Sequence, residues 1–476
     1  MKKTTYNYIN MVMFLISWTV FLFLGSHSLM YNDEMMNMLE LRMPLGKMIH
    51  FLFTEDAHIP AYHILLKIWQ FVFGDSVFAA RCFSYAGLLA CAFGAGRMVK
   101  HLYGAKAGLW YTALFLFLSG YFFLYAITIR MYSWACFFCT AAFLSSEKVL
   151  KKGKTKHYVL YTVFACLGAW THYYATVVCA LIALSFLWRS WRKDRAVFKK
   201  SFVCNAVLLL SVCPLIYHVF HRPEMSVGAG WISKRFVMEA WQWFFCENNH
   251  ESFVERPKML KIETITMCCL WFAGFRFLLK GRNSPEKSVS QTGLFIALGM
   301  LGGAIILSML FRPVLVSRYL AIPFGCLCVF FVFGIIEDRR NEILLGVLMF
   351  FSFFPPVLEI RERVKNAVQT DFYQVVKENV TPDDVIMTAN FRLTYFLYYY
   401  FPDYDVRELL PNGSFLEKMH PIDVREVPEL LKTKRVFTTT PTNDKIDATE
   451  YFNTFDSYME TPLILKRINK VNMTFD

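Results

Sequence analysis

The amino-acid sequence predicts a polytopic α-helical membrane protein with about eleven transmembrane helices, juxtamembrane helices at its outer face and a small C-terminal soluble α/β domain. Three observations predict it. The 476 residues are 56% hydrophobic and 17% aromatic but only 18% charged, far more apolar than a soluble chain of this length requires. Apolar runs of about 20 residues, the length that crosses a bilayer core, recur between Met11 and Leu358. After Pro355 and Pro356 the pattern changes to mixed polar, with alternating helix and strand periods.

The net charge of +13 is scattered between the apolar runs. Lys2 and Lys3, the KVLKKGKTK segment around Lys151, WRSWRKDR around Arg192, KGRNSPEK around Arg282 and EDRRNE around Arg339 occupy short loops. Placing these loops in the cytoplasm satisfies the positive-inside rule. No basic stripe lies on one soluble face, so a nucleic-acid partner is excluded. The 13 cysteines fall almost all inside apolar runs, with Cys246 in a long polar loop and none after Cys328. Neither a disulfide framework nor a zinc site is expected.

With Met1 inside, the first run, Met11 to Leu29, is expected to be an uncleaved anchor rather than a signal peptide, because it is long enough to span. The segment Asn32 to Phe53 is too polar to cross. It reads as an interfacial helix broken at Pro44 and Gly46. Ile59 to Phe73 is short and reads as juxtamembrane or re-entrant. Counting it as a span would put the later basic loops outside, against the positive-inside rule. The remaining spans are Phe78 to Lys100, Ala105 to Leu118, Phe122 to Leu144, Tyr158 to Trp170, Tyr173 to Leu187, Phe202 to Phe220, Ile262 to Leu279, Gly293 to Phe311, Arg318 to Ile336 and Ile343 to Leu358. Residues 1–358 thus form a transmembrane domain whose long loops, 31–75 and 221–261, face outward.

Residues 359–476 form the soluble domain, also outside. Strands are expected at Asp384 to Thr388, Val406 to Leu410, Arg435 to Thr440 and Thr461 to Arg467, interleaved with helices such as Phe372 to Glu378 and Leu393 to Phe401. Asn379, Asn412 and Asn472 begin N-x-S/T triplets, which recur by chance and imply no glycosylation.

Ionisable groups at membrane depth are costly, so they mark candidate function. The acidic pair Asp33 and Glu34 follows the first span directly, in YNDEMMNMLE. Arg130, in YAITIRMYSW with Tyr132, is expected about eight residues into its span, roughly 12 Å deep at 1.5 Å per residue. Arg81 sits where its span begins, His172 and Tyr173 occupy the outer turn of GAWTHYYA, and Arg312 and Arg318 bracket the turn in FRPVLVSRYL. Asp56 and His58 share the same outer side, and Trp231 lies in an aromatic-rich outer loop where it would face a sugar.

Acids and cations together on one face suit transfer of a sugar from a polyprenyl phosphate. Arginines hold the anionic lipid phosphate that leaves, and a carboxylate takes the proton of the incoming hydroxyl. Asp33 is the natural base, and single displacement would invert the anomeric carbon. The plainer readings remain open from spacing alone. Asp33 and Glu34 serve equally well as the acidic first turn of a surface helix, the arginines as snorkelling side chains, the histidines as structural groups, and the tryptophans as an interfacial belt.

The succession YNDE, DAHIPAYHILLKIWQFVFG, FAARCFSYAGLL, YAITIRMYSW, THYYA and SRYL resembles the GT-C glycosyltransferases of the protein O-mannosyltransferase and lipid A aminoarabinose transferase type, over roughly Met11 to Ile336. The resemblance implies a GT-C fold, Asp33 as catalytic base with Glu34 beside it, and outer basic residues such as Arg81 and Arg318 on the lipid phosphate. The family often has His-Pro-Pro where this chain has His58, Ile59 and Pro60. A bacterial inner membrane and undecaprenyl phosphate are preferred over a reticulum membrane and dolichyl phosphate. The acceptor is a glycan, lipid or protein. No cofactor is required by this reading, although a divalent cation near Asp33 and Asp56 is conceivable. Two alternatives remain: a lipid-linked-glycan flippase or transporter, which midplane polar groups and repeated halves would favour, and an anchored receptor. The charges gather outside and no internal repeat is found.

Overall fold

A computed structural model describes residues 3–25, 30, 32–54, 58–118, 125–220, 236–245, 260–280, 283–310, 313–365, 368–388, 391–408, 420–421, 432–440 and 464–468. Asp56, Trp231 and Arg312 lie outside the described residues. The chain divides into two compact units: residues 1–26 with 57–361, and residues 27–56 with 362–476.

The first unit is helical. In order it contains α1 (Lys3–Gly25), α4 (Ala61–Phe73), α5 (Val77–Tyr103), α6 (Ala105–Phe117), α7 (Tyr132–Lys152), α8 (Thr155–Ala169), α9 (Tyr173–Lys193), α10 (Arg195–Phe220), α11 (Phe236–Phe244), α12 (Leu260–Lys280), α13 (Pro285–Leu310), α14 (Phe324–Ile336) and α15 (Arg339–Lys365). Helices α2 (Asn32–Arg42) and α3 (Leu45–Thr54) belong to the second unit.

Among the described residues, six helices, α1, α5, α9, α10, α12 and α13, are long and apolar enough to cross a membrane. The protein is a multi-pass membrane protein. The other expected spans coincide with helices that are shorter or carry charge at their ends. Helix α6 has 13 residues, α8 has 15 and α14 has 13, while α7 ends in Glu147, Lys148, Lys151 and Lys152. Helix α4, also 13 residues long, measures about 20 Å, too short to cross. It buries Tyr62, His63 and Leu66 and exposes Ile68, Phe71, Val72 and Phe73, the two-faced pattern expected of a juxtamembrane helix.

Helix α14 is the centre of this unit. Every residue from Phe324 to Ile335 is buried, so its sequence, FGCLCVFFVFGII, carries no polar stripe. Its neighbours α7, α12 and α13 approach closely because small residues meet there. A Cβ on Gly325 would strike Thr140 of α7, and one on Gly334 would strike the backbone at Ala273 and Gly274 of α12.

The expectation that Arg130 lies inside a continuous helical span is corrected. Helix α7 begins only at Tyr132, and residues 127–131 are irregular, with the Arg130 N–H bonded to the Thr128 carbonyl at 2.8 Å. Irregular backbone is tolerated in such proteins where protein, not lipid, surrounds it. Here Thr128, Ile129, Arg130 and Met131 are each at most 4% exposed.

The second unit contains α2, α3, α16 (Val368–Asn379), α17 (Phe391–Tyr400) and a five-stranded sheet of β1 (Val385–Thr388), β2 (Asp405–Glu408), β3 (His420–Pro421), β4 (Val436–Thr440) and β5 (Ile464–Ile468). The strand order is β3-β2-β1-β4-β5. Strand β1 runs parallel to β2 and β4, β2 parallel to β3, and β5 antiparallel to β4. Four of these strands and both helices sit where the alternating periods put them; the two-residue β3 was too short to leave a pattern. The outer segment after the first span joins this unit through α17. The Tyr400 hydroxyl accepts the Met30 N–H at 3.3 Å, Arg42 donates to the Tyr399 carbonyl at 3.4 Å, and its guanidinium lies 4.6 Å from the Tyr399 ring centre. Pro44 separates α2 from α3 as expected, whereas Gly46 falls inside α3. Helix α2 is not the amphipathic surface helix expected from its mixed residues: Glu34, Asn37 and Glu40 are each at most 1% exposed.

Candidate functional site

Four separate segments of the first unit bring cationic and aromatic side chains to one place. His58 precedes Pro60 at the start of α4, Arg130 lies in the irregular segment before α7, His172 caps α9, and Arg318 lies on a 3₁₀ turn, Ser317–Ala321, that leads into α14. Arg130 Nη2 donates to His58 Nε2 at 2.7 Å. An arginine only donates, so Nε2 is the acceptor and the His58 proton sits on Nδ1.

His172 has a related constraint. Its Nδ1 accepts the Tyr174 N–H at 3.0 Å, completing the N-terminus of α9, which leaves Nε2 as the donor. Burial above all, with the positive charges of Arg130 and Arg318, holds the imidazole well below its ordinary range. His172 is therefore a neutral donor beside two guanidinium groups.

Aromatic rings wall this cluster. The His172 ring centre lies 5.0 Å from Tyr319, 5.7 Å from Tyr174 and 6.1 Å from Tyr132, and Tyr174 and Tyr319 are 5.0 Å apart. The Tyr174 hydroxyl donates to the Val314 carbonyl and the Tyr125 hydroxyl to the Ala321 carbonyl. The turn bearing Arg318 is also held from outside. Glu239 Oε2 of α11 accepts the Ser317 N–H at 2.5 Å, Trp243 Nε1 donates to the Leu320 carbonyl at 3.0 Å, and Ser308 Oγ accepts the Val314 and Leu315 N–H groups at 2.9 and 3.0 Å.

Of the residues singled out in the sequence, His58, Arg130, Tyr132, His172 and Arg318 come together. Tyr173 is the first residue of α9, next to the cluster. Arg81, on α5, is 1% exposed and donates from Nη1 to the Gly25 carbonyl at 2.8 Å, at the C-terminal end of α1 where a cation complements the helix dipole. Asp33 and Glu34 form the first turn of α2, in the second unit, with Asp33 part-buried and Glu34 1% exposed. The sequence does not mark Glu239, Tyr174 or Tyr319: Tyr174 and Tyr319 adjoin candidate residues in THYYA and SRYL, but nothing in MEAWQWFF points to Glu239. Among the described residues no group of three His, Cys, Asp or Glu side chains is placed to hold a metal.

A cluster of two guanidiniums and two imidazoles, one of them a fixed neutral donor, matches the three acceptor oxygens of a phosphate monoester. No protein-family model matches the chain, and no curated protein matches its sequence. Two solved structures of ArnT from Cupriavidus metallidurans, one in the apo state and one bound to undecaprenyl phosphate, match with a TM-score of 0.58 and 10% identity. Each match covers 90% of this chain and 92% of the ArnT chain. The chain has a GT-C-like fold. The Archaeoglobus fulgidus oligosaccharyltransferase, in complex with Zn and sulfate, matches at a TM-score of 0.47 and 10% identity, over 90% of this chain and 68% of that one. The ArnT match extends over nine-tenths of the chain, beyond the stretch of roughly Met11 to Ile336 for which the motif succession implied this fold.

Proposed function

We propose that the protein is an inverting membrane glycosyltransferase that moves a sugar from a polyprenyl-phosphate donor to an acceptor hydroxyl on the extracytoplasmic face of a bacterial inner membrane. The observation that carries the reading is the convergence of His58, Arg130, His172 and Arg318 within a GT-C-like fold. Undecaprenyl phosphate is the preferred carrier, since an ArnT structure of the same fold is bound to it. Arg130 and Arg318 hold the phosphate, with the His172 Nε2–H as a further donor. Asp33 takes the proton of the acceptor hydroxyl as its oxygen bonds to the anomeric carbon and the sugar–phosphate C–O bond breaks. The electron pair and negative charge pass to the departing lipid phosphate, where the guanidinium groups stabilise them. No covalent intermediate is required. Tyr132 and Tyr319 are the candidate walls of the sugar pocket.

The experiment is incubation of the purified protein with a panel of undecaprenyl-phosphate sugars and cell-envelope acceptors, scored for released undecaprenyl phosphate. Release that depends on Arg130 and Asp33 supports the reading. Absence of release with every donor, alongside movement of a labelled lipid-linked sugar across proteoliposomes, overturns it in favour of a flippase.

A further inference from the structure

Helix α2, which carries Asp33, is gripped near both of its ends by one helix of the tail. Ahead of its first turn, the N–H of the buried Met30 donates to the Tyr400 hydroxyl at 3.3 Å. At its last residue, Arg42 donates to the Tyr399 carbonyl at 3.4 Å and sets its guanidinium 4.6 Å from the Tyr399 ring centre. Both grips fall on the last two residues of α17. Arg42 follows Asp33 by nine residues, about two and a half helical turns, so the two side chains leave α2 on opposite faces.

Helix α17 is itself fixed to the sheet and to α16. The Tyr398 hydroxyl donates to the Val406 carbonyl of β2 at 3.0 Å, and the Tyr404 hydroxyl, just ahead of β2, donates to the Val380 carbonyl at 3.2 Å. The Tyr400 ring centre lies 4.7 Å from Phe396, 5.0 Å from Tyr399 and 5.8 Å from Tyr373 of α16. A continuous path of bonds and packed rings therefore runs from the sheet through α17 to both ends of α2.

The rotation of α2 about its own axis decides which acid is open. From Asp33 to Leu41 every residue is buried except Asp33 and Met36, which are three residues apart and so share a face. Glu34 and Glu40 are at most 1% exposed. A rotation by one residue, about 100°, would bury Asp33 and bring Glu34 to its place. Joining a loop to the tail needs one contact, whereas fixing both the tilt and the rotation of a helix needs contacts at its two ends, and α2 has them.

We propose that Tyr400, Tyr399 and Arg42 are positioning residues for Asp33, and that the C-terminal α/β domain takes part in transfer by setting the rotation of the helix that bears the base. The inference rests on the reading of Asp33 as that base. A general base works only within hydrogen-bond reach of the hydroxyl it deprotonates, and a displacement of about 1 Å costs on the order of a hundredfold in rate. The tail's contribution is thus to kcat, not to donor affinity.

The test uses the full-length protein and two readouts, amide hydrogen exchange across α2 and single-turnover release of lipid phosphate at saturating donor. Tyr400→Phe keeps the ring and removes the hydroxyl, Arg42→Gln removes the stacked cation, and Arg42→Lys keeps a cation for the Tyr399 ring. Exchange in α2 should quicken in Tyr400→Phe and Arg42→Gln, and the rate should fall about tenfold in each and about a hundredfold in the double variant, with donor Kd and melting unaltered. Arg42→Lys should recover most of the loss. In an Asp33→Asn background the same substitutions should change the residual rate by less than about twofold, because the group they position is gone. An equal factor of loss in both backgrounds marks a purely structural role and overturns the proposal, as does unaltered exchange, or quickened exchange with full turnover. Absence of release by the wild type with every donor overturns the glycosyl-transfer reading and the positioning role with it; the exchange readout still reports separately whether α17 holds α2.

Discussion

Arg130 and His58 share a 2.7 Å hydrogen bond across 72 residues of sequence. This bond joins the irregular segment before α7 to the approach of α4, and it fixes the plane of the guanidinium. A lysine would keep the charge but lose the fork. Arg130→Gln should therefore raise the donor KM by about ten- to hundredfold, the value of a charge-assisted bond. Arg130→Lys should fall between the two, and His58→Ala should cost less than Arg130→Gln. Donor titrations in a lipid-phosphate release assay measure all three. A donor KM unaltered in Arg130→Gln would remove the arginine from the site.

Glu239 and Trp243 grip the two ends of the turn that carries Arg318, through Ser317 and Leu320. Neither is argued to touch the donor, so both act by positioning. Glu239→Gln retains an acceptor at lower charge, and Glu239→Ala removes it. The alanine variant should raise the donor KM about tenfold with a smaller change in kcat, and the glutamine variant should recover most of that loss. Equal loss of kcat and donor affinity in both variants, with lowered melting, would mark a purely structural contact.

His172 supplies a pH-dependent term. Its imidazole is held below the ordinary histidine range by burial and by the charges of Arg130 and Arg318, so the unfolded chain binds a proton that the folded chain refuses. Stability from this group is present above about pH 6.5 and falls as pH drops toward the depressed folded value, by at most about 1.4 kcal/mol per pH unit. His172→Asn keeps a good N-cap for α9 but removes the titrating group. Its melting temperature should decline less than that of the wild type between pH 7 and pH 5. Parallel declines would show that His172 is not the group responsible.

The spanning and tail helices were legible because they carry a long apolar run or a clear period, whereas α11, inside the outer loop 221–261, was not. The sheet of the second unit was legible for the same reason, from VIMT, DVRE and VFTTT. Three things were hidden by local reading. The backbone at Arg130 leaves the helical conformation although no proline or glycine between Tyr125 and Tyr132 announces it; the tertiary environment, not local propensity, sets it. Helix α2 has a mixed composition that looks interfacial, yet its Glu34, Asn37 and Glu40 are buried. Glu239 makes its bond to Ser317 across 78 residues, a distance at which no spacing rule operates. The arginine and histidine motifs did single out four of the side chains that converge, because charges near membrane depth are too costly to retain without a partner.

The second unit has its own test at Asp384. The carboxylate is 3% exposed; burial raises its pKa, but bonds from Arg435 at 2.6 and 2.7 Å and from Thr381 at 2.7 and 2.8 Å outweigh burial and bring it below the ordinary value. The depressed pKa means that this stabilisation is complete above the unfolded value and is lost as pH falls through the folded one. Asp384→Asn breaks a pair whose arginine is half open to water, so a cost of about 2 kcal/mol is expected rather than the full value for a buried pair. Limited proteolysis of the tail in the full-length protein should quicken about thirtyfold at neutral pH, and the difference from wild type should shrink as pH falls below the ordinary aspartate value of about 3.9. A constant difference down to pH 2 would mean that the carboxylate charge contributes nothing there.

Asp33 is the assignment on which proposed turnover depends most directly. It stands in the first turn of α2, where an acid complements the helix dipole whatever else it does. Capping and catalysis differ in what each asks of the side chain. Asparagine keeps the shape of aspartate and forfeits only the modest charge–dipole term, about 0.3–1 kcal/mol, but is a far poorer base. Asp33→Asn should therefore preserve folding and donor binding and lower kcat by at least about 10² to 10⁴-fold, the usual contribution of a general base, with little change in the donor Kd. Glu34→Gln, one position along the same turn and 1% exposed, supplies the comparison: loss of melting temperature with turnover retained would assign it a structural part. If Asp33→Asn turns over normally while Arg130→Gln does not, the phosphate cluster stands and the base must be sought elsewhere.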